Sequence, residues 1–242
     1  IYQNAESINA VLYNKSGTMN VNSDVKVKSS YFALFNKGIC NIKGASLESD
    51  AYSGRDKNKP NTYAYAVKNS GTMQIFDGTT ITGIQGALAA SGGGTLDVFG
   101  GTFKTVRKDG ARGWHAFYAA DSAYAVIYGG TFHSEEGNAV NVGDEDENQD
   151  GASVIIKGGD FTSVADAATV KAAIEGNLSI TGGTFSSDVT KYVKTDICKI
   201  DQANSKWTVT ENNVAKIGAT EYETLEKAVA AVKDNETITL LH

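Results

Sequence analysis

LDVFGGTF, Leu96–Phe103, returns along the chain. It recurs as AVIYGGTF ending at Phe132, as VIIKGGDF ending at Phe161 and as LSITGGTF ending at Phe185. Each copy alternates apolar residues, then has a Gly-Gly pair, one polar residue and Phe. Looser copies lie upstream: MQIFDGTTI from Met73, CNIKGASL from Cys40 and MNVNSDVKV from Met19. A supersecondary unit repeated this often specifies a solenoid, in which each unit buries its apolar face only against its neighbours.

Aligning the copies on one inward residue gives Val21, Ile42, Ile75, Val98, Ile127, Ile156 and Ile180, with successive gaps of 21, 33, 23, 29, 29 and 24 residues. A minimum near 21 with variable excess is the signature of a β-helical coil carrying loop insertions, whereas a helical repeat would hold its period. A second strand precedes each copy, at Ala10–Leu12, Tyr31–Phe35, Tyr65–Val67, Ala87–Ala89, Ala116–Tyr118, Ala139–Val142 and Ala168–Val170. One coil is therefore strand, turn, strand, Gly-Gly turn and a short strand ending in Phe. Glycine suits that turn because it adopts φ > 0 without a Cβ clash. Phe103, Phe132, Phe161 and Phe185 are then expected to stack in one internal column, continued by Leu47 and Ile81, with coils ~4.8 Å apart and a rod roughly 34 Å long.

The fold expected is all-β: a right-handed parallel β-helix of about seven coils over residues 1–187, with a small C-terminal α/β appendage over 188–242. The handedness follows from the general crossover preference. In the appendage, Trp207–Val209 and Ala215–Ile217 read as strands, and Thr220 with Glu223 reads as a capping box. Leu225, Ala228, Val229 and Val232 then form one helical stripe, predicting a helix over about 221–233 and a last strand from Thr237 to Leu241. Helix and strand would seal the open end of the rod or open another repeat block.

Composition agrees with strands and tight turns: 26 Gly, one Pro and 41% hydrophobic residues. The net charge of −6 gives no general basic face for nucleic acid. No apolar run is long enough to span a membrane, which takes ~18 residues. Two cysteines make no disulfide framework, and Cys40 and Cys198 read as buried thiols. The chain opens on Ile1 inside repeat-like sequence and reads as a mature protein or a piece of a longer one.

GGTFSSDVTKYV from Gly182, followed by WTVT, resembles the ends of β-helix modules in large cell-surface proteins of gut Firmicutes. AKIGATEYETLEKAVAAVKDNETITLL from Ala215 resembles the unit that opens the next module there, and SGTMQIFDGTTITG from Ser70 is similar to their coils. The resemblance implies a pectin-lyase-like shape and an extracellular or wall-attached address; it carries no assigned activity.

Three groups of residues are candidate sites. Two insertions, Asp50–Thr62 and Val106–Trp114, flank the short Gly83–Gly86 connection at one corner of the coil and would form a saddle. Its walls hold Arg55, Lys57, Lys59, Arg107, Lys108 and Arg112, with Tyr52, Tyr63 and Trp114 as exposed rings. Guanidinium forks and aromatic platforms suit an acidic or sulfated glycan, and solvated loop tips account for the same residues without a ligand. Asp146, Asn148, Asp150 and Gly151 match the opening of a calcium loop, with Asp144 beside it, but Lys157 stands where a bidentate Glu belongs. Calcium is the one cofactor the sequence suggests, against a plain acidic hairpin tip. No two carboxylates fall at matching outward positions of adjacent coils to act as an acid/base couple. His115 with Arg112 is the nearest thing to a catalytic site. These readings favour a non-enzymatic surface module that spaces or presents a glycan-binding or host-binding face. The alternative is a polysaccharide lyase or glycoside hydrolase acting on an acidic polysaccharide. The oligomeric state is left open.

Overall fold

The computed structural model describes residues 10–50, 65–107, 114–143, 151–164 and 168–241. Three long sheets wrap one core. The first contains Ala10–Asn14, Phe32–Asn36, Tyr65–Asn69, Gly86–Ala90, Phe117–Ala119, Val140–Val142 and Val170–Ala172, all parallel. The second contains Thr18–Val21, Ile39–Lys43, Thr72–Phe76, Thr95–Val98, Tyr124–Ile127, Ser153–Ile156 and Leu178–Ile180. The third runs from Lys26–Ser29 through Ser46–Ser49, Thr80–Gly83, Thr102–Thr105, Thr131–Ser134 and Asp160–Ser163 to Gly183–Phe185. Each coil contributes one strand to each sheet, so the described residues form a parallel β-helix of seven coils, with the right hand that parallel crossovers take in general.

The register is that of the sequence alignment. Val21 pairs with Ile42, then Ile75, Val98, Ile127, Ile156 and Ile180 in unbroken succession. Every one of these side chains is buried. In the third sheet Val27, Leu47, Ile81, Phe103, Phe132, Phe161 and Phe185 form the matching column. The four phenylalanine rings stack at centroid spacings of 4.5, 5.0 and 4.9 Å, tilted by no more than 13°. The last strand of the first sheet is Val170–Ala172, two residues beyond the expected Ala168 start.

The two glycines of each pair are needed for different reasons. The second one bends the chain: φ is +109° at Gly101, +108° at Gly130 and +116° at Gly159 and Gly183. The first one lets coils approach. A Cβ on Gly158 would lie 2.6 Å from the Tyr128 carbonyl oxygen, and one on Gly182 2.2 Å from that of Lys157.

At the corner between the first and second sheets the core holds polar side chains. Asn14 Nδ2 donates to Asn36 Oδ1 at 2.8 Å, and Asn36 Nδ2 donates to Asn69 Oδ1 at 2.8 Å. The Asn36 amide also bridges to the carbonyls of Gly38 (3.0 Å) and Thr72 (3.1 Å), and the Asn69 amide to those of Gly71 (3.1 Å) and Thr95 (2.8 Å). This ladder satisfies turn carbonyls that point inward in a sharply bent backbone.

The open end of the rod is closed by a hairpin and not by the helix. Lys206–Glu211 pairs antiparallel with Gly183–Phe185, aligning Trp207 with Phe185, and Cys198–Ala203 pairs with it in turn. Val189, Tyr192 and Val193 plug the core beneath, and the Ala172 amide donates to the Tyr192 hydroxyl at 3.0 Å. The helix α1 spans Leu225–Ala231, shorter than the expected 221–233. Thr224, not Thr220, is its cap: its side chain accepts from the Lys227 amide, while Thr220–Tyr222 is a strand paired with Ala215–Ile217. Of the apolar stripe only Ala228 is buried; Leu225 and Val229 are 44% and 57% exposed.

Candidate functional site

Ser49, Gly83 and Thr105 are register partners, so the stretches leaving the third sheet after Ser49 and Thr105 flank the short Gly83–Gly86 link on adjacent strands. The insertions themselves, over 51–64 and 108–113, lie outside the described residues. Arg55 and Arg112, with Tyr52, Lys57, Lys59, Tyr63 and Lys108, lie outside the described residues, as do all four calcium candidates, Asp144, Asp146, Asn148 and Asp150. Among the described residues no group of three or more His, Cys, Asp or Glu is placed to hold a metal ion.

Arg107 is exposed, with Nε 3.4 Å from Glu136 Oε1. Trp114 is half-buried, not the exposed platform expected; its main-chain amide donates to the Gln85 carbonyl at 2.7 Å and its carbonyl accepts from Ser134 Oγ at 2.8 Å. His115 follows, edge-on to Trp114 with centroids 6.3 Å apart and 6.0 Å from the Tyr118 ring. Beneath them the rings of Tyr65 and Tyr118 stack at 5.9 Å. The intervening position must be Gly86, where a Cβ would meet the Tyr65 ring at 2.2 Å.

The Asn138 amide donates to His115 Nδ1 at 3.0 Å, fixing that nitrogen as acceptor and the proton on Nε2. Burial first, then the charge of Lys171, pushes the imidazole down to about 4. It is neutral at pH 7 and too weak a base to take a proton there, which counts against a catalytic His115. A linkage effect follows. Between pH 6.5 and about 4 the unfolded chain protonates this residue and the folded one does not. Its contribution, at most about 3 kcal/mol, is present above pH 6.5 and lost as the pH falls through that window. In paired urea titrations, the stability difference between wild type and His115→Gln narrows with falling pH; a constant difference contradicts the neutral buried imidazole.

Two outward features were not singled out from the sequence, although its repeat contains them. The residues before Asp77-Gly78, Gly100-Gly101 and Gly129-Gly130 form an outward strip: Phe76, Phe99 and Tyr128 stack at 5.2 and 5.0 Å. Lys43 Nζ lies 4.7 Å from the Phe76 centroid at one end and Lys157 Nζ 5.3 Å from that of Tyr128 at the other. Phe99 and Tyr128 are 40% and 43% exposed. On the other side of the glycines, Thr80, Thr102, Thr131, Asp160 and Thr184 are register partners. Between them runs an open channel of about 490 Å³, lined by these residues through Asp160, by Asp77 and by Gly101, Gly130 and Gly159.

Farther out on the third sheet, Lys104, His133 and Thr162 are aligned on successive strands. His133 Nδ1 is 2.7 Å from Thr162 Oγ1, and Nε2 is 3.2 Å from Glu135 Oε1. No helix among the described residues is long and apolar enough to cross a membrane. No family model, curated protein or solved structure matches this chain.

Proposed function

We propose that the chain is a rigid β-helical module of a large extracellular or wall-attached protein, of the kind borne by gut Firmicutes. Its role is to space or present a face that binds a polysaccharide or a host surface, without turnover. The observation that carries this reading is the Phe76–Phe99–Tyr128 stack, in which Phe99 and Tyr128 are exposed and Phe76 half-buried on a frame that fixes their spacing. Stacking across adjacent strands stabilises the sheet, and the ring surface that Phe99 and Tyr128 leave open to solvent suits a binding face. Insertions at the saddle corner vary without disturbing the core, which lets one scaffold carry different ligands.

A glycan and mucin array tests this directly. Wild type is expected to bind at least one glycan, and the double variant Phe99→Ala/Tyr128→Ala to lose at least tenfold in signal while keeping its melting temperature within a few degrees. An array on which the wild-type protein binds nothing removes the glycan reading.

The alternative, a polysaccharide lyase or glycoside hydrolase acting on an acidic polysaccharide, draws on the His133–Glu135–Thr162 hydrogen bonds, an imidazole oriented by a carboxylate on an outward face. Incubation with uronic-acid polymers distinguishes the two, since a lyase leaves unsaturated products and a binding module leaves the polymer intact.

A further inference from the structure

We infer that the channel along the glycine corner holds an uncharged, linear, hydroxyl-rich polysaccharide laid parallel to the rod axis. This rests on the glycan-binding reading above and adds to it a place and a charge class.

The channel is continuous because side chains are excluded from its floor. A Cβ on Gly101, Gly130 or Gly159 would stand 2.8–3.0 Å from a carbonyl oxygen of the preceding coil. One wall is rigid: the amides of Thr102, Thr131 and Asp160 donate to the carbonyls of Thr79, Gly101 and Gly130 at 2.8–2.9 Å. The hydroxyls of Thr80, Thr102 and Thr131 make no hydrogen bond among the described residues, so they are available to a ligand. From Thr80 to Asp160 the wall advances three strand spacings, ~14 Å, about the length of three sugars in an extended chain. A linear glycan advances by about one strand spacing per sugar, so successive sugars meet successive coils in similar surroundings.

The residues flanking the opposite side, Phe76, Phe99 and Tyr128, cover one another's faces and present ring edges outward. Ring edges carry the positive part of the aromatic quadrupole and accept the oxygen lone pairs of sugar hydroxyls. Charge decides the ligand class. The lining contains the carboxylates of Asp77 and Asp160 and no cation, so a polyanionic chain is repelled along the groove. Ammonium groups lie outside the lining: Lys43 and Lys157 over the ring faces at the two ends of the strip, and Lys104 two residues beyond Thr102 on the third sheet.

Affinity electrophoresis of the full chain through gels containing neutral linear glucan, neutral xylan or polygalacturonate tests the assignment. The variants are Thr131→Arg, which fills the channel from an exposed site, and Val229→Ala, an exposed position on the terminal helix. The expected result is retardation by a neutral polymer, reduced at least tenfold in Thr131→Arg and unchanged in Val229→Ala, with no retardation by polygalacturonate. Retardation by polygalacturonate alone, or retardation by a neutral polymer that Thr131→Arg leaves unchanged, overturns the channel assignment and leaves the glycan-binding role standing. No retardation by any polymer overturns the channel; whether the role falls with it is read from the array. A melting curve for each variant shows that it is folded.

Discussion

Phe132→Ala is expected to cost about 3–5 kcal/mol, the range for removing a fully buried aromatic ring. Phe132 sits inside the column, with rings 4.5 Å away on one side and 5.0 Å on the other. Both stacking contacts go at once. The cavity cannot close, because Phe103 and Phe161 are each held to their own level by the third-sheet ladder. Phe132→Leu fills part of the hole and is expected to cost less than half as much. Urea unfolding checks both; equal, small losses for the two variants would mean that the rings are not in file. Because solenoids can lose all-or-none behaviour, the slopes of the transitions are compared along with their midpoints.

The second large effect is Asn36→Asp. The substitution is nearly isosteric, so what changes is hydrogen-bond polarity and charge. At full burial, the Asn36 amide donates toward Gly38 O, Asn69 Oδ1 and Thr72 O, while its Oδ1 accepts from Asn14 Nδ2 and the Gly38 amide. A carboxylate would set a negative oxygen against three acceptors in a dry interior. The expected loss at neutral pH is ~3 kcal/mol or more. Burial and the facing carbonyls raise the folded-state pKa of the new carboxyl above its unfolded value of ~3.9. Protonation therefore favours the folded state, and the deficit relative to wild type shrinks as the pH falls from 7 toward ~4. A deficit independent of pH would mean that the side chain reaches water. The gap to wild type narrows with falling pH as it does at His115, but by the opposite slope: here the variant gains stability on protonation, whereas there the wild type loses it.

How far these features can be read from the sequence depends on what each residue must know about its neighbours. The Val21-to-Ile180 column and the phenylalanine file are legible because period-two alternation and the glycine pair set the register locally. The asparagine ladder was harder. Asn14, Asn36 and Asn69 each stand two or three residues before a glycine, which also describes an ordinary turn. Only the stacking of coils turns three turn residues into one hydrogen-bonded chain. The Cys198–Ala203 strand was missed because five of its six residues do not reach full burial; it is an outer strand held by backbone pairing with Lys206–Glu211. At the helix, Thr220 and Glu223 have capping-box spacing, but pairing with Ala215–Ile217 draws Thr220 into a strand and leaves the cap to Thr224.

The site was less legible than the frame. Arg107, Trp114 and His115 attracted notice as basic and aromatic residues near an insertion, yet solvent access does not follow from residue type. The Trp114 main chain is tied to the Gln85 carbonyl and the Ser134 hydroxyl, and His115 is neutralised by burial and Lys171. The strip takes one ring from each of three quoted copies, Phe76, Phe99 and Tyr128, while the copies on either side carry Lys43 and Lys157 at the same position. Its meaning depends on the outward face, where alternation alone does not separate a solvated ring from a binding surface.

The stacking of coils in register is tested most directly by disulfide trapping. Thr102 and Thr131 are Cα partners on adjacent parallel strands, and strands ~4.8 Å apart fall within the Cα separation a disulfide spans. Thr102→Cys/Thr131→Cys is expected to cross-link under mild oxidation, with the linked peptides identified by mass spectrometry apart from the buried Cys40 and Cys198. Thr102→Cys/Asp160→Cys, two strands and ~9.6 Å apart, is expected not to. A cross-link in the second pair and none in the first would contradict the coil order on which every neighbour relation rests.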